Sequence, residues 1–283
     1  MTLSTRFTDL VGCALPVQLA AMGGVGTTEL AAAVMAAGGL GMVPRSAAPV
    51  PGACGVNFIV PFDPSPEAIA EAAARSRVVE FFYGDPRADL VDVVHAGGAL
   101  AGWQVGSADE AEAAERCGCD YVVVQGIEAG GHVRGTQPVD EVLISARAVV
   151  AVPLVAAGGI ATARRVAALM RLGADGVRVG TRFVTCPESG AHPEYVRCLL
   201  AATGADTVVT EWFNVGWVGA SHRVLRSALA AAQRSGWRAT TPPHRDIDRD
   251  ADDMAMYAGT GVGDVIMADP AATVVADLVS DLA

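Results

Sequence analysis

At 283 residues the chain is long enough to bury one large α/β core, and one such domain fits better than two small ones. It is 52% hydrophobic but only 5% aromatic, so the core must be built from Ala, Val, Leu and Ile. The formal net charge is −11 and every positive charge is an arginine, which argues against general nucleic-acid binding, where clustered cations must face phosphates.

The first residues, MTLSTRFTDL, lack the apolar core of a signal peptide. The longest apolar run, 148–163, is interrupted by Pro153 and the Gly158-Gly159 pair, and falls short of the roughly 20 residues a membrane helix needs. The expectation is a soluble, cytoplasmic protein. Cys13, Cys54, Cys117, Cys119, Cys186 and Cys198 are scattered through apolar or helical segments and read as reduced thiols. Cys117 and Cys119 have no second pair, so no metal site is expected.

Strand-like runs recur at 16–22, 40–44, 55–61, 78–84, 100–106, 121–126, 153–159 and 176–183. Ala-rich helical segments lie between most of them, at 28–37, 66–75, 107–117 and 162–172. Thr28, Ser107 and Thr162 are the expected N-caps, and Gly38, Gly118 and Gly173 stand where helices stop. Strand starts mostly fall about 21 to 24 residues apart, the length of one strand–helix unit. Eight such units make a (β/α)8 TIM barrel, placed here at residues 1–203. Only PRSAAPVPGAC separates the second and third strands, so the second unit is shortened and has no room for a normal helix. Residues 204–283 read as a C-terminal extension or lid packed on the barrel and not as an independent domain. They hold a strand-like TVVT, a helix expected over 221–233, the polar TTPPHRDIDRDADD and the Gly-rich MYAGTGVGDV.

The most chemistry-laden stretch is YVVVQGIEAGGHVRG, residues 121–135. A buried strand runs into a loop that carries Gln125, Glu128, glycines and His132 within eight residues. Glycines let a backbone approach a ligand, and a histidine just past a strand's C-terminal end lies where α/β barrels keep their chemistry. PLVAAGGIAT and GVRVGTRF each place glycines between a strand and a helix start. Such loops after the seventh and eighth strands suit a phosphate-bearing cofactor. No G-x-G-x-x-G opens a helix, which disfavours a Rossmann dinucleotide site.

QGIEAGGH, AAGGI and GADGVRVGTRF, in this order and spacing, resemble the nitronate monooxygenases, formerly called 2-nitropropane dioxygenases. PVQLAAMGGVGTTELAAAVMAAGGLGMVP and GVNFIVPF are similar to that family's first three barrel units, and the resemblance spans roughly residues 12–230. It implies an FMN-bound barrel that oxidises nitronates, the anions of nitroalkanes, with molecular oxygen. It further implies His132 as the catalytic histidine, and Asn57, Gln125 and Gly130 as flavin contacts. Gly158, Gly159, Arg178, Val179, Gly180 and Thr181 become phosphate-side positions, and Ala21, Met22 and Gly23 the backbone beneath the flavin ring. The shortened second unit departs from the family's usual full helix, and MYAGTGVGDV resembles a family segment near the flavin.

Two other functions stay open: an FMN-dependent enoyl reductase using NAD(P)H and an acyl carrier, and a flavin-binding protein without turnover. As a base His132 would take the α-proton of a nitroalkane; as an imidazolium it would hold a nitronate anion. The residues do not choose between these roles, and they leave a homo-oligomer open. His95 reads as a helix-end or surface group, His192 and His222 as helix starts, and His244 as solvated. Glu128 orients the backbone or a ligand, with direct catalysis the lesser option, or only caps the loop. Trp103 and Gln104 pack or line the pocket, while Arg223, Arg226 and Arg234 form one solvated helix face.

Overall fold

The structure, a computed structural model, describes residues 2–47, 50, 52–62 and 64–282. Its strands are β1 (Val17–Leu19), β2 (Gly41–Met42), β3 (Cys54–Ile59), β4 (Val78–Phe82), β5 (Leu100–Val105), β6 (Tyr121–Gln125), β7 (Gly131–His132), β8 (Leu154–Ala157), β9 (Gly176–Val179), β10 (Thr207–Thr210) and β11 (His222–Leu225). Eight of them run parallel in the order β1-β9-β8-β6-β5-β4-β3-β2. A parallel bridge between Gln18 and Leu40 joins β1 to the β2 edge and closes the ring. These are the eight expected barrel strands, each trimmed at its end. Fully buried aliphatic runs such as YVVVQ are what a strand covered on both faces requires.

The helices begin where small polar side chains meet free backbone N–H groups. Ser107 and Thr162 cap the helices Ala108–Arg116 and Ala163–Arg171 as expected. At the first long helix, Thr28–Ala36, the cap is Thr27 rather than Thr28: its hydroxyl accepts from the Leu30 N–H at 3.0 Å. Among the described residues no helix joins β2 to β3. Arg75, from the helix Pro66–Arg75, donates instead to the carbonyls of Arg45 and Ala47.

An N-terminal helix, Arg6–Val11, was not anticipated. It plugs the bottom of the barrel with Phe7, which is fully buried and meets the Tyr121 ring edge-on at 5.5 Å. The last helix, Ala271–Leu278, packs against the helices Thr28–Ala36 and Ala163–Arg171 and buries Ala271, Val274, Val275 and Leu278 in the main core. The helix expected over 221–233 is divided: residues 222–225 form β11, and the helix runs Arg226–Ser235. β11 pairs with β10 on one side and β7 on the other, and that pairing overrides the local helical pattern. His222 is therefore a buried strand residue. Arg223 leaves the supposed helix face and donates to the Ile127 carbonyl at 2.8 Å. No helix among the described residues is long and apolar enough to cross a membrane.

The barrel interior is polar at its centre. Glu80 of β4 and Gln18 of β1 are wholly buried, and Gln18 donates to Glu80 at 2.6 Å. The Tyr121 hydroxyl donates to the same carboxylate, and Arg178 of β9 pairs with it. Arg178 also donates to Gln104 of β5, and its Nε to Gln18 at 3.3 Å.

Two stability outcomes follow from this interior. Phe7→Ala opens a cavity at the barrel floor and is expected to cost about 3–5 kcal/mol in urea unfolding. Arg178→Met leaves Glu80 buried without its cation and is expected to cost about 3–5 kcal/mol, part of it recovered when Glu80→Leu is added.

Candidate functional site

A cavity of about 440 Å³ opens where the strands end, within the size range of small-ligand sites. The turn after β1 (Ala21, Met22, Gly23), Asn57 of β3, Gln104 of β5 and Gln125 of β6 contribute to its wall. Gly158, Gly159, Gly180 and Thr181 enter from the loops after β8 and β9. No Asp or Glu is among the described lining residues, and Arg178 is the one arginine there.

Gly158 and Gly159 adopt φ values of 121° and 65°, a left-handed pair that L side chains rarely take. Gly130 is required for packing as much as for ligand approach: a Cβ there would lie 2.5 Å from the Gly259 nitrogen. The C-terminal segment 257–261 is thus pressed onto the glycine loops. Gly259 N donates to Thr181 Oγ1 at 3.0 Å, and Thr260 N to the Glu128 carbonyl at 2.9 Å. MYAGTGVGDV, loosely matched from sequence, brings Tyr257, Gly259 and Gly261 to the cavity.

His132 sits on β7, paired in register with His222 of β11. Gln125 holds this short strand at both amide ends: its Nε2 donates to the His132 carbonyl at 2.9 Å, and its Oε1 accepts from Arg134 N at 3.1 Å. Rings surround the imidazole. Trp217 stacks on it at 3.9 Å, His222 lies at 5.2 Å, Tyr257 at 5.7 Å and Tyr83 at 6.1 Å. Tyr83 is the one non-glycine with positive φ (66°) among the described residues, a strained conformation of the kind that clusters at functional sites. His132 Nε2 is buried without a hydrogen-bond partner among the described residues, as is Asn57 Oδ1. Burial, then the neighbouring His222, pushes the His132 pKa down to about 3. The near-neutral titration expected from sequence is thereby lost, and the ring is neutral at physiological pH. His222 is committed at both nitrogens: Nε2 accepts from Phe213 N at 3.2 Å and Nδ1 donates to the Ala220 carbonyl at 2.9 Å.

The sequence-derived residues converge on this cavity with two departures. Val179 faces the helices and lies in the main core, not on the cavity wall. Arg178 reaches the cavity floor, but its guanidinium is committed to Glu80, Gln18 and Gln104, so it is no free cation for a phosphate. Gln104 also lines the cavity, and its Oε1 accepts from Arg178. Glu128 takes its loop-capping alternative, accepting from Val139 N at 3.1 Å at the start of the helix Val139–Val149. Trp103 is core, donating to the Gly84 carbonyl at 3.0 Å. His192 caps the helix Pro193–Ala201, and His95 pairs with Asp120 at 2.9 Å. Phe62 and Trp217 on the wall were not singled out from sequence, and Tyr257 only as part of its segment. The available signal was a tryptophan between glycines in a chain poor in aromatics.

A nitronate monooxygenase family model matches residues 55–281. The chain is 31% identical over 274 residues to a nitronate monooxygenase of Pseudomonas aeruginosa, covering 74% of this chain and 77% of that protein. It is 34% identical over 244 residues to a (3aS,4S,5R,7aS)-5-hydroxy-7a-methyl-1-oxo-octahydro-1H-indene-4-carboxyl-CoA dehydrogenase of Rhodococcus jostii, covering 81% and 67%. Among solved structures, FabK from Thermotoga maritima superposes with a TM-score of 0.83 at 28% identity, covering 99% of this chain and 96% of that one. A nitroalkane oxidase from Streptomyces ansochromogenes does so with a TM-score of 0.78 at 28% identity, covering 98% of each. With a family model spanning most of its length and a barrel mouth built around the matched motifs, the chain belongs to the nitronate monooxygenase family of oxidoreductases.

Proposed function

We propose that this protein binds FMN in the barrel mouth and oxidises alkyl nitronates with molecular oxygen to a carbonyl compound and nitrite. The observation that carries the reading is a neutral His132 on the wall of a cavity whose described lining has no carboxylate, its buried Nε2 without a hydrogen-bond partner among the described residues. An anion entering there meets no like charge.

The residues present fit the cofactor. Asn57 Oδ1 is a buried acceptor without a donor among the described residues, and Gln104 lies on the cavity wall with its carbonyl oxygen already taken by Arg178. The glycine pair at 158–159 and the backbone at Gly180 and Thr181 leave close approach for a phosphate without a free cation. When bound, FMN supplies the electron transfer between substrate and oxygen. The chain's own work is placement. Gln125 holds β7 so that His132 lines the cavity, and the surrounding rings shield part of its imidazole from water. A base held neutral down to about pH 3 is weak, which favours nitronates that arrive already ionised over nitroalkanes that must first lose a proton. A bound anion beside Nε2 favours protonation of the ring, so that the imidazolium balances the charge.

The likeness to FabK over nearly the whole chain favours a second reading, an enoyl reductase drawing electrons from NAD(P)H. Anaerobic mixing of the FMN-reconstituted protein with ethyl nitronate, and separately with NADH, divides the two. Bleaching of the flavin absorbance by nitronate, reversed by oxygen, is expected; bleaching by NADH alone would transfer the assignment to the reductase. His132→Ala is expected to slow nitronate turnover by about 10²–10⁴-fold. Asn57→Ala is expected to weaken FMN binding roughly tenfold in a fluorescence titration, the worth of one hydrogen bond. The kcat/KM for preformed nitronate should show no protonation step near the ordinary histidine value of 6.5, because His132 in the free protein titrates far below it.

A further inference from the structure

Trp217 sits at the tip of the loop between β10 and β11. The base of that loop is pinned. Phe213 and Ala220 are both held by the His222 ring, Val215 N donates to the Arg238 carbonyl at 3.2 Å, and Trp212 Nε1 to the Trp237 carbonyl at 2.8 Å. The tip is built differently. Gly216 and Gly219 bracket Trp217 and Val218 with φ values of 80° and 76°, and a Cβ on either would meet nothing within 4 Å. Left-handed backbone, not crowding, therefore requires glycine there. That turn lays the indole over the His132 imidazole at 3.9 Å and 21°, while Phe62 meets the indole edge-on at 5.2 Å and Tyr83 at 4.8 Å.

We infer that Trp217 is the specificity-determining residue of the site: stacked on His132 and forming the cavity wall beside it, it shields the ring from water and limits the alkyl chain that fits there to a short one. This deepens the proposed function and rests on its reading of His132 as the residue that faces substrate. His222 of β11, Tyr83 after β4 and Tyr257 of the C-terminal segment are the titratable groups whose rings face the imidazole; burial pushes the His222 pKa down and those of the two tyrosines up, which favours the neutral form of each at neutral pH. Arg134, two residues away, is directed to Glu110 at 2.9 Å and Asp85 at 2.6 Å. Trp217 makes the closest ring contact, so removing it readmits water to the imidazole and opens the space beyond it. Burial is the first cause of the depressed His132 pKa, and relieving it moves that value from about 3 upward toward 6.5.

The test compares wild type, Trp217→Ala and Trp217→Phe in the FMN-loaded protein. The first readout is the kcat/KM ratio for ethyl against octyl nitronate; the second is the His132 titration midpoint, followed by NMR of the ring protons and assigned with His132→Gln. The expected result is a shift of roughly tenfold or more toward octyl nitronate in Trp217→Ala, with its midpoint rising by more than about one unit. Trp217→Phe, which keeps a stacked ring, should hold the midpoint low. The proposal is overturned if Trp217→Ala leaves either quantity at its wild-type value. Should the alanine variant not fold, Trp217→Leu carries the same two readouts. If the wild type fails to oxidise either nitronate, the proposed function falls, but the titration needs no turnover and still decides whether Trp217 shields His132.

Discussion

The buried pair of Glu80 and Arg178 is the constraint around which the barrel mouth is arranged. It joins β4 to β9 across the centre of the ring, with Gln18 of β1, Gln104 of β5 and Tyr121 of β6 as its other partners. Removing two charges from water is costly, and mutual attraction offsets that cost only when the remaining donors and acceptors are satisfied. Here two amides and a phenol meet that need. A shift of any of these strands would break part of the network. The result is a polar floor with no net charge, on which Gln104 has one orientation because its carbonyl oxygen answers the arginine.

Above that floor the site is built by the C-terminal quarter of the chain. β11 pairs with β7 and draws His132 into a small antiparallel sheet, the segment 257–261 closes on the glycine loops, and the loop between β10 and β11 delivers Trp217. The last helix returns to the barrel wall against the first long helix and that of residues 163–171, so site and wall are tied through one stretch of chain. The glycines of the mouth serve this closure as well as the ligand, since a side chain at Gly130 would strike the backbone of Gly259.

The chemistry turns on desolvation. An exposed histidine titrates near pH 6.5, but four rings around His132 remove the water that would stabilise its cation. The ring is therefore neutral across the physiological pH range. A neutral base of low strength suits an anion that is already formed. This links the packing of Trp217 and His222 to the proposed choice of nitronate over its parent nitroalkane.

The barrel was legible because its signals are local. Aliphatic runs such as YVVVQ and LVAA, regular spacing, and caps such as Ser107 and Thr162 depend on near neighbours in the chain. The motif residues at positions 57, 125, 130, 132, 158, 159, 180 and 181 were likewise readable as a set, and the fold brings them to one cavity. What failed were readings that depend on distant partners. HRVL becomes a strand only because β10 and β7 flank it, which moved His222 and Arg223 from a helix into the site's frame. Arg178 looked like a phosphate ligand until Glu80, nearly a hundred residues earlier, took its charge. Val179 alternates away from the cavity simply because successive strand residues face opposite sides. The sequence by itself determined the strand–helix repeat and the glycine–histidine mouth, because periodicity and backbone freedom are properties of short segments. Only the tertiary structure decided which charges are neutralised, which ring covers His132 and what protonation state that histidine holds, because burial and pairing arise between residues that the chain keeps far apart.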